Sequence, residues 1–298
     1  MEEWTMEDIL RPVYQERASN QETKGVLLIE KNTPDSPITD TFDYILLIIT
    51  DSKDKQPVYI KHYAYEDKKA ALHIVTIEKL NEWRLLGTNK KIIDWIYNGK
   101  ILFDRNDYLA SLKRELNEFP FYGRKIKKGI EFAKLIRSYM DGKELFDQGN
   151  FLDAYNQIID ALHHLARLEI IEKGFHPEVT VWSQVKQLGP DIYKLYEELV
   201  YSEESLSQRL ELLFLVSDFL IHTRTESGSG HIVEIISERG EQYWSYDELY
   251  SHQELKYYGE DLRILIEYLI DRGCIDVVLE KTKGAKLFHR YYKIHKEI

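Results

Sequence analysis

Apolar residues run unbroken from Tyr44 through Ile49, the longest such stretch in the chain, inside the segment Asp40-Thr41-Phe42-Asp43-Tyr44-Ile45-Leu46-Leu47-Ile48-Ile49-Thr50. Pro34 and Pro37 precede this β-branched run and Asp51-Ser52-Lys53-Asp54 follows it, which predicts a strand buried on both faces. Shorter runs supply its partners: Val26 to Ile29, Val58 to Tyr63 with fair alternation, Leu72 to Ile77, and Gly99 to Asp104. Helical spacing marks Met6, Ile9, Leu10, Val13 and Tyr14, with Thr5 as N-cap and Pro12 kinking or delaying that helix. Glu78 to Leu86 reads as a helix stopped by Gly87, and Ile92, Ile93, Trp95 and Ile96 mark another. Together these predict a small mixed sheet with helices on one or both faces.

Phe119-Pro120-Phe121-Tyr122-Gly123 breaks the pattern, and helical periodicity then dominates to about Thr223. The cluster Arg124-Lys125-Ile126-Lys127-Lys128 reads as the solvated start of a helix whose apolar side holds Ile130, Ala133, Leu135 and Ile136, rather than as a polyanion site. Ala154, Tyr155, Ile158, Ile159, Leu162, Leu165 and Leu168 form a wide stripe on one long helix, and four or five helices pack as a bundle. His163 and His164 diverge by about 100° on such a helix and cannot both chelate one ion.

Glu226-Ser227-Gly228-Ser229-Gly230 reads by composition as a flexible linker. Beyond it come a helix with Ile232, Val233, Ile235 and Ile236, a break at Gly240, a short helix from Asp247 and a longer one from Gly259 to Arg272. Two strands follow, Cys274 to Glu280 and Lys286 to Ile294. That order predicts a winged helix. The expected domains are 1–118, 119–225 and 226–298.

Composition narrows the function. A net charge of −11 and a pI near 5.5 argue against a protein coated in nucleic acid or held on anionic lipid. One cysteine, Cys274, excludes an internal disulfide framework and a cysteine-rich zinc site. With no signal-peptide pattern and no apolar run of about 20 residues, a cytoplasmic protein without membrane contact is expected.

The strand Val26 to Ile29, the loop, Phe42-Asp43-Tyr44-Ile45-Leu46 and Trp95-Ile96-Tyr97-Asn98-Gly99-Lys100-Ile101-Leu102-Phe103-Asp104 carry a resemblance to the nucleotidyltransferase fold. Over nearly its whole length the chain resembles the nucleotidyltransferase-like proteins of Bacillus and relatives, the YgxA type. These join a nucleotidyltransferase-like domain, a helical domain and a C-terminal winged helix. The resemblance implies a strand ending in Gly-Ser, then a strand with two alternate carboxylates that grip Mg²⁺, then a third acid, with a nucleoside triphosphate as substrate. It also implies a cleft between the first two domains that takes a nucleotide or small ligand.

The departures fall on the chemistry. Glu30-Lys31-Asn32 replaces Gly-Ser, setting a negative charge where phosphates would approach. Residues i and i+2 of a strand share a face, so the metal pair would be Asp43 and position 45, and position 45 is Ile45. Near the third-acid strand, acidity appears only at Glu78. Phosphoryl-type transfer rests on metal positioning and charge stabilisation, for which one aspartate is poor equipment. Two readings stay open at the mouth of this strand. Asp43, Asp40 and Glu30 form a rebuilt metal site, or Asp40 is a turn residue, Glu30 is solvated and Asp43 is a remnant or cap.

At the other end, Lys281, Lys283, Lys286, Arg290, Lys293 and Lys296 give the hairpin a basic side, with Tyr291 and Tyr292 able to pack on sugars. The helix expected in a major groove carries Glu260, Asp261, Glu267 and Asp271 against Arg263 and Arg272, the wrong sign for a duplex. The preferred reading is a catalytically degenerate nucleotidyltransferase-like protein that binds a nucleotide or ligand and presents the winged helix to nucleic acid or protein. Its rivals are an active Mg²⁺-dependent transferase acting on a small-molecule, RNA or protein acceptor, and a DNA-binding regulator.

Overall fold

A computed structural model describes the chain apart from residues 1–5, 32–37, 54–55, 90, 119–120, 241, 285 and 296–298, and the side chains of 117, 121 and 122. The expectations at Thr5, Asn32, Pro34, Pro37, Asp54, Phe119-Pro120 and Lys296 lie outside the described residues. Two compact units divide the chain, Met1–Pro120 and Phe121–Ile298.

The first unit runs α1 (Met6–Ala18), β1 (Thr23–Glu30), β2 (Tyr44–Thr50), β3 (Val58–Tyr65), β4 (Lys68–Thr76), α2 (Ile77–Leu86), α3 (Ile92–Asn98), β5 (Lys100–Asp104) and α4 (Tyr108–Glu118). The sheet order is β3-β4-β2-β1-β5, with β2 and β4 parallel and the other pairs antiparallel. The central strand β2 is sealed on both sides. Ile45, Leu47 and Ile49 join Leu27, Ile29, Ala71, Trp95 and Leu109 in one core, and Leu46 and Ile48 join Leu10, Val26, Leu28 and Leu72 in the other. Burial on both faces is why this strand reads as a continuous apolar run.

Helix α4 escaped the sequence reading. Leu109, Leu112 and Leu116 face the core at helical spacing. Asp104 caps the helix by accepting the backbone N–H groups of Leu109 at 2.8 Å and Ala110 at 3.1 Å.

The second unit holds α5 (Phe121–Asp147), α6 (Phe151–Glu172), α7 (Val181–Leu188), α8 (Pro190–Tyr201), α9 (Leu206–Ser237), β6 (Trp244–Ser245), α10 (Tyr246–Ser251), a 3-10 turn over Leu255–Tyr258, α11 (Asp261–Asp271), β7 (Ile275–Lys281) and β8 (Phe288–Ile294). Among the described residues, no helix is long and apolar enough to cross a membrane.

The linker expectation is overturned: residues 226–230 lie inside the 32-residue α9. Gly and Ser weaken an isolated helix by up to about 1 kcal/mol each, but here packing decides. A Cβ on Gly228 would sit 2.4 Å from the Phe132 ring, so the missing side chain is what lets α9 close on α5. The Ser229 hydroxyl donates to the Thr225 carbonyl at 2.6 Å, which satisfies it inside the helix. The basic cluster is not simply solvated either. Lys127 is buried and Lys125 pairs with Glu234 of α9.

Candidate functional site

At the mouth of β2, Asp43 is knitted into the sheet. Its N–H donates to the Lys69 carbonyl at 2.9 Å, and its carbonyl accepts the Lys31 N–H at 2.8 Å. Its carboxylate oxygen Oδ2 accepts the Lys69 N–H at 2.8 Å. The side chain thus closes the entrance of the parallel β2–β4 ladder, bonded like a strand cap. Two residues on, Ile45 is 2% exposed, opposite Ile29 of β1 and Ala71 of β4.

Glu30 pairs with Tyr44, which puts it on the sheet face away from Ile45. Asp40 has a left-handed backbone, φ 55°, and its carboxylate forms an ion pair with Lys91. Each of the three expected acids is therefore engaged or turned differently. Among the described residues, no three His, Cys, Asp or Glu side chains converge as metal ligands. This donor set does not fit Mg²⁺, which asks for near-octahedral oxygen ligands.

Other side chains gather on that face. Strand β4 places His73 between Ala71 and Val75, on the side of Ile45, and β3 adds His62 opposite Ala71. The His73 ring meets Trp95 edge-on at 5.0 Å, and Phe42 lies 4.7 Å from His62. Trp95 is anchored by its indole N–H, which donates to the Ile38 carbonyl at 2.8 Å. Burial, with His62 adding to it and Asp40 opposing, pushes the His73 imidazole down to about 4. At neutral pH this wall is therefore aromatic and uncharged at His73, suited to contact with a planar ring. Sequence reading missed His73 and His62, because their convergence needs the strand register. The available hint was His73 inside the apolar segment from Leu72 to Val75.

In the second unit, Glu131 is buried between Arg167, 2.9 Å away, and His164, whose Nδ1 lies 2.9 Å from Oε2. Burial alone pushes this carboxyl up. Arg167, the His164 hydrogen bond and Lys134 outweigh it and hold the group well below its ordinary 4.5. His163 lies by Trp182, whose ring stacks on Tyr196 at 4.1 Å, so the two adjacent histidines serve separate contacts. Arg224 binds Glu169 at 2.6 Å and Glu172 at 3.1 Å, tying α9 to α6.

Strands β6, β8 and β7 form a three-stranded sheet in that order, which with α10 and α11 makes a winged helix. The two-residue β6 was not foreseen. Lys281, Lys283 and Lys286 are exposed at the hairpin. Arg290 instead forks onto Glu267, with two contacts of 3.0 Å. Tyr292 is buried opposite Trp244, which corrects its expected contact with sugars.

Comparison with known proteins covers the chain in three consecutive pieces. The nucleotidyltransferase-like family matches residues 6–124, the YgxA-like substrate binding domain residues 125–224, and a helix-turn-helix domain residues 230–294. The protein YgxA of Bacillus subtilis (strain 168) is 51% identical over 293 residues, which are 98% of this chain and 99% of that protein. The crystal structure of a nucleotidyltransferase-like protein from Exiguobacterium sibiricum 255-15 has a TM-score of 0.83 at 39% identity, covering 97% of this chain and 99% of that one.

Proposed function

Since the chain belongs to the YgxA-like family of nucleotidyltransferase-like proteins, we propose that it uses the fold to bind a nucleotide or small ligand and has lost nucleotidyl transfer. One observation carries this reading: the Asp43 carboxylate accepts the Lys69 N–H, while the position that should supply its metal partner is the buried Ile45. A dication has one weak ligand there where transfer chemistry needs a clamp. The ligand's ring is expected against the face that carries Phe42, His62 and His73. The winged helix, in this reading, presents the outcome of binding to nucleic acid or protein.

The test is purified protein incubated with α-labelled ATP and Mg²⁺ or Mn²⁺, together with nucleotide titration by calorimetry with and without EDTA. No nucleotidylated product and EDTA-insensitive binding are expected. Steady turnover that disappears in Asp43→Ala defeats the proposal in favour of an active transferase.

A further inference from the structure

In three-helix variants of the helix-turn-helix, the third helix turns its outer face to the major groove. Here that helix is α11, and two of its three sides are already covered. Leu262, Ile266 and Leu269 are buried. The adjacent side is docked on α5 and α9. Asp261 pairs with Arg137 of α5, and the Tyr268 hydroxyl lies 2.7 Å from Thr225 of α9 with its ring 6.0 Å from Phe132 of α5. Past the helix end, Arg272 reaches Asp218 at 3.4 Å.

The side left to solvent carries Glu260, Arg263, Glu267 and Asp271, and Glu267 is taken by Arg290. Across the groove that Arg263 and Glu267 line, α5 offers Asp141, Glu144 and Asp147 together with Lys143, which is paired with Asp147. Phosphates brought to α11 meet carboxylates on the helix and on the wall beside it.

The hairpin is the opposite. From Lys281 to Leu287 it carries three lysines and no acid, and next to them Leu287 and Phe288 are exposed. Cations beside an exposed apolar tip suit a phosphate backbone with its sugars.

We propose that this winged helix meets nucleic acid through the β7–β8 wing alone, by Lys281, Lys283 and Lys286 on the phosphates, without sequence preference, while α11 serves as the joint that fixes the wing to the helices. The proposal rests on reading the winged helix as the output end of the protein. The wing belongs to the second unit and the Asp43 face to the first, and the ligand proposal stands or fails on its own assay.

Three phosphate contacts predict a slope of about −2.7 for log affinity against log salt, a loss of about 40-fold between about 50 and 200 mM. Fluorescence anisotropy of the full chain with labelled duplexes of unrelated sequence should show weak, sequence-indifferent binding with that slope. The triple variant Lys281→Glu, Lys283→Glu, Lys286→Glu, checked for wild-type circular dichroism, should lose it at least 10-fold. Arg263→Ala, on the free side of α11, should leave it unchanged. The proposal is overturned by no binding at low salt, by a triple variant that binds like wild type, by sequence preference that Arg263→Ala removes, or by binding to anionic vesicles in place of duplex.

Discussion

Replacing Ile45 by aspartate would complete an acid pair with Asp43, and the structure predicts that it will unfold the first unit before it makes a metal site. Ile45 is 2% exposed, between Ile29 and Ala71 in the core shared with Trp95 and Leu109. Losing that side chain costs about 2–4 kcal/mol by the range for large-to-small core changes. The new carboxyl has hydrocarbon around it, so it stays protonated up to about pH 7. Raising its pKa by about three units costs about 4 kcal/mol at neutral pH. The sum, about 6–8 kcal/mol, is comparable with the whole stability of many domains.

The sign with pH follows. A carboxyl whose folded pKa is raised binds more protons folded than unfolded, so the penalty is absent below the unfolded value, about 4, and grows as pH rises towards the folded one. Urea melts of Ile45→Asp should therefore show a smaller deficit against wild type at about pH 5 than at about pH 8, and added Mg²⁺ should not help. An opposite result is informative. Were the pair a latent metal site with millimolar affinity, about 10 mM Mg²⁺ would restore about 1.4 kcal/mol at the higher pH. A variant as stable as wild type and further stabilised by Mg²⁺ refutes the reasoning about this face.

Asp43→Ala should cost about 0.5–1.5 kcal/mol by removing the acceptor of the exposed Lys69 N–H, while Asp43→Asn, which keeps an acceptor, should cost less than half of that; equal melting curves for the two would remove the capping role. Glu131→Ala strands the buried Arg167 and should destabilise by about 3–5 kcal/mol, whereas a Glu131→Leu, Arg167→Met double variant should recover most of it. Because the folded Glu131 pKa is depressed, its contribution is present above about pH 4.5 and fades as pH falls through the folded value, so acid melts of Glu131→Gln should be flatter there than those of wild type. Gly228→Ala should cost about 1–3 kcal/mol against the Phe132 ring, while Gly230→Ala, whose nearest contact is Lys125 Cε at 3.7 Å, should be neutral or stabilising. Two neutral alanines would restore the linker reading.

Local signals carried most of the architecture. The run at Tyr44–Ile49 announced its strand because burial on both faces leaves no polar alternation to confuse it, and Gly87 stopped α2 in a left-handed conformation, φ 65°, where the C-terminal stop was expected. The failures share a cause. Residues 226–230 have the composition of a linker, and only the distant Phe132 makes Gly228 a packing position. Helix α4 follows its strand after a short turn, with its cap supplied by Asp104, the last residue of that strand. At the site, the pairings of Ile45 with Ile29 and of Tyr44 with Glu30 set Ile45 and Glu30 on opposite faces of the sheet. The approach of His73 and His62 depends on two strand registers that no spacing along the chain encodes.

The mouth of β2 is consistent in its electrostatics once Ile45 is taken as the starting point. A carboxylate at that position would sit among hydrocarbon and need a dication to be tolerated, and isoleucine removes the requirement. What remains of the acid set then finds partners within the fold. Asp43 takes a backbone N–H and Asp40 takes the Lys91 ammonium. His73, whose burial outweighs the pull of Asp40, stays neutral beside Trp95. A metal ion entering here would have to displace a backbone hydrogen bond and a lysine, and would gain only two carboxylates that are already satisfied. An uncharged planar group asks for neither displacement, which is why the same face suits a ring better than a dication.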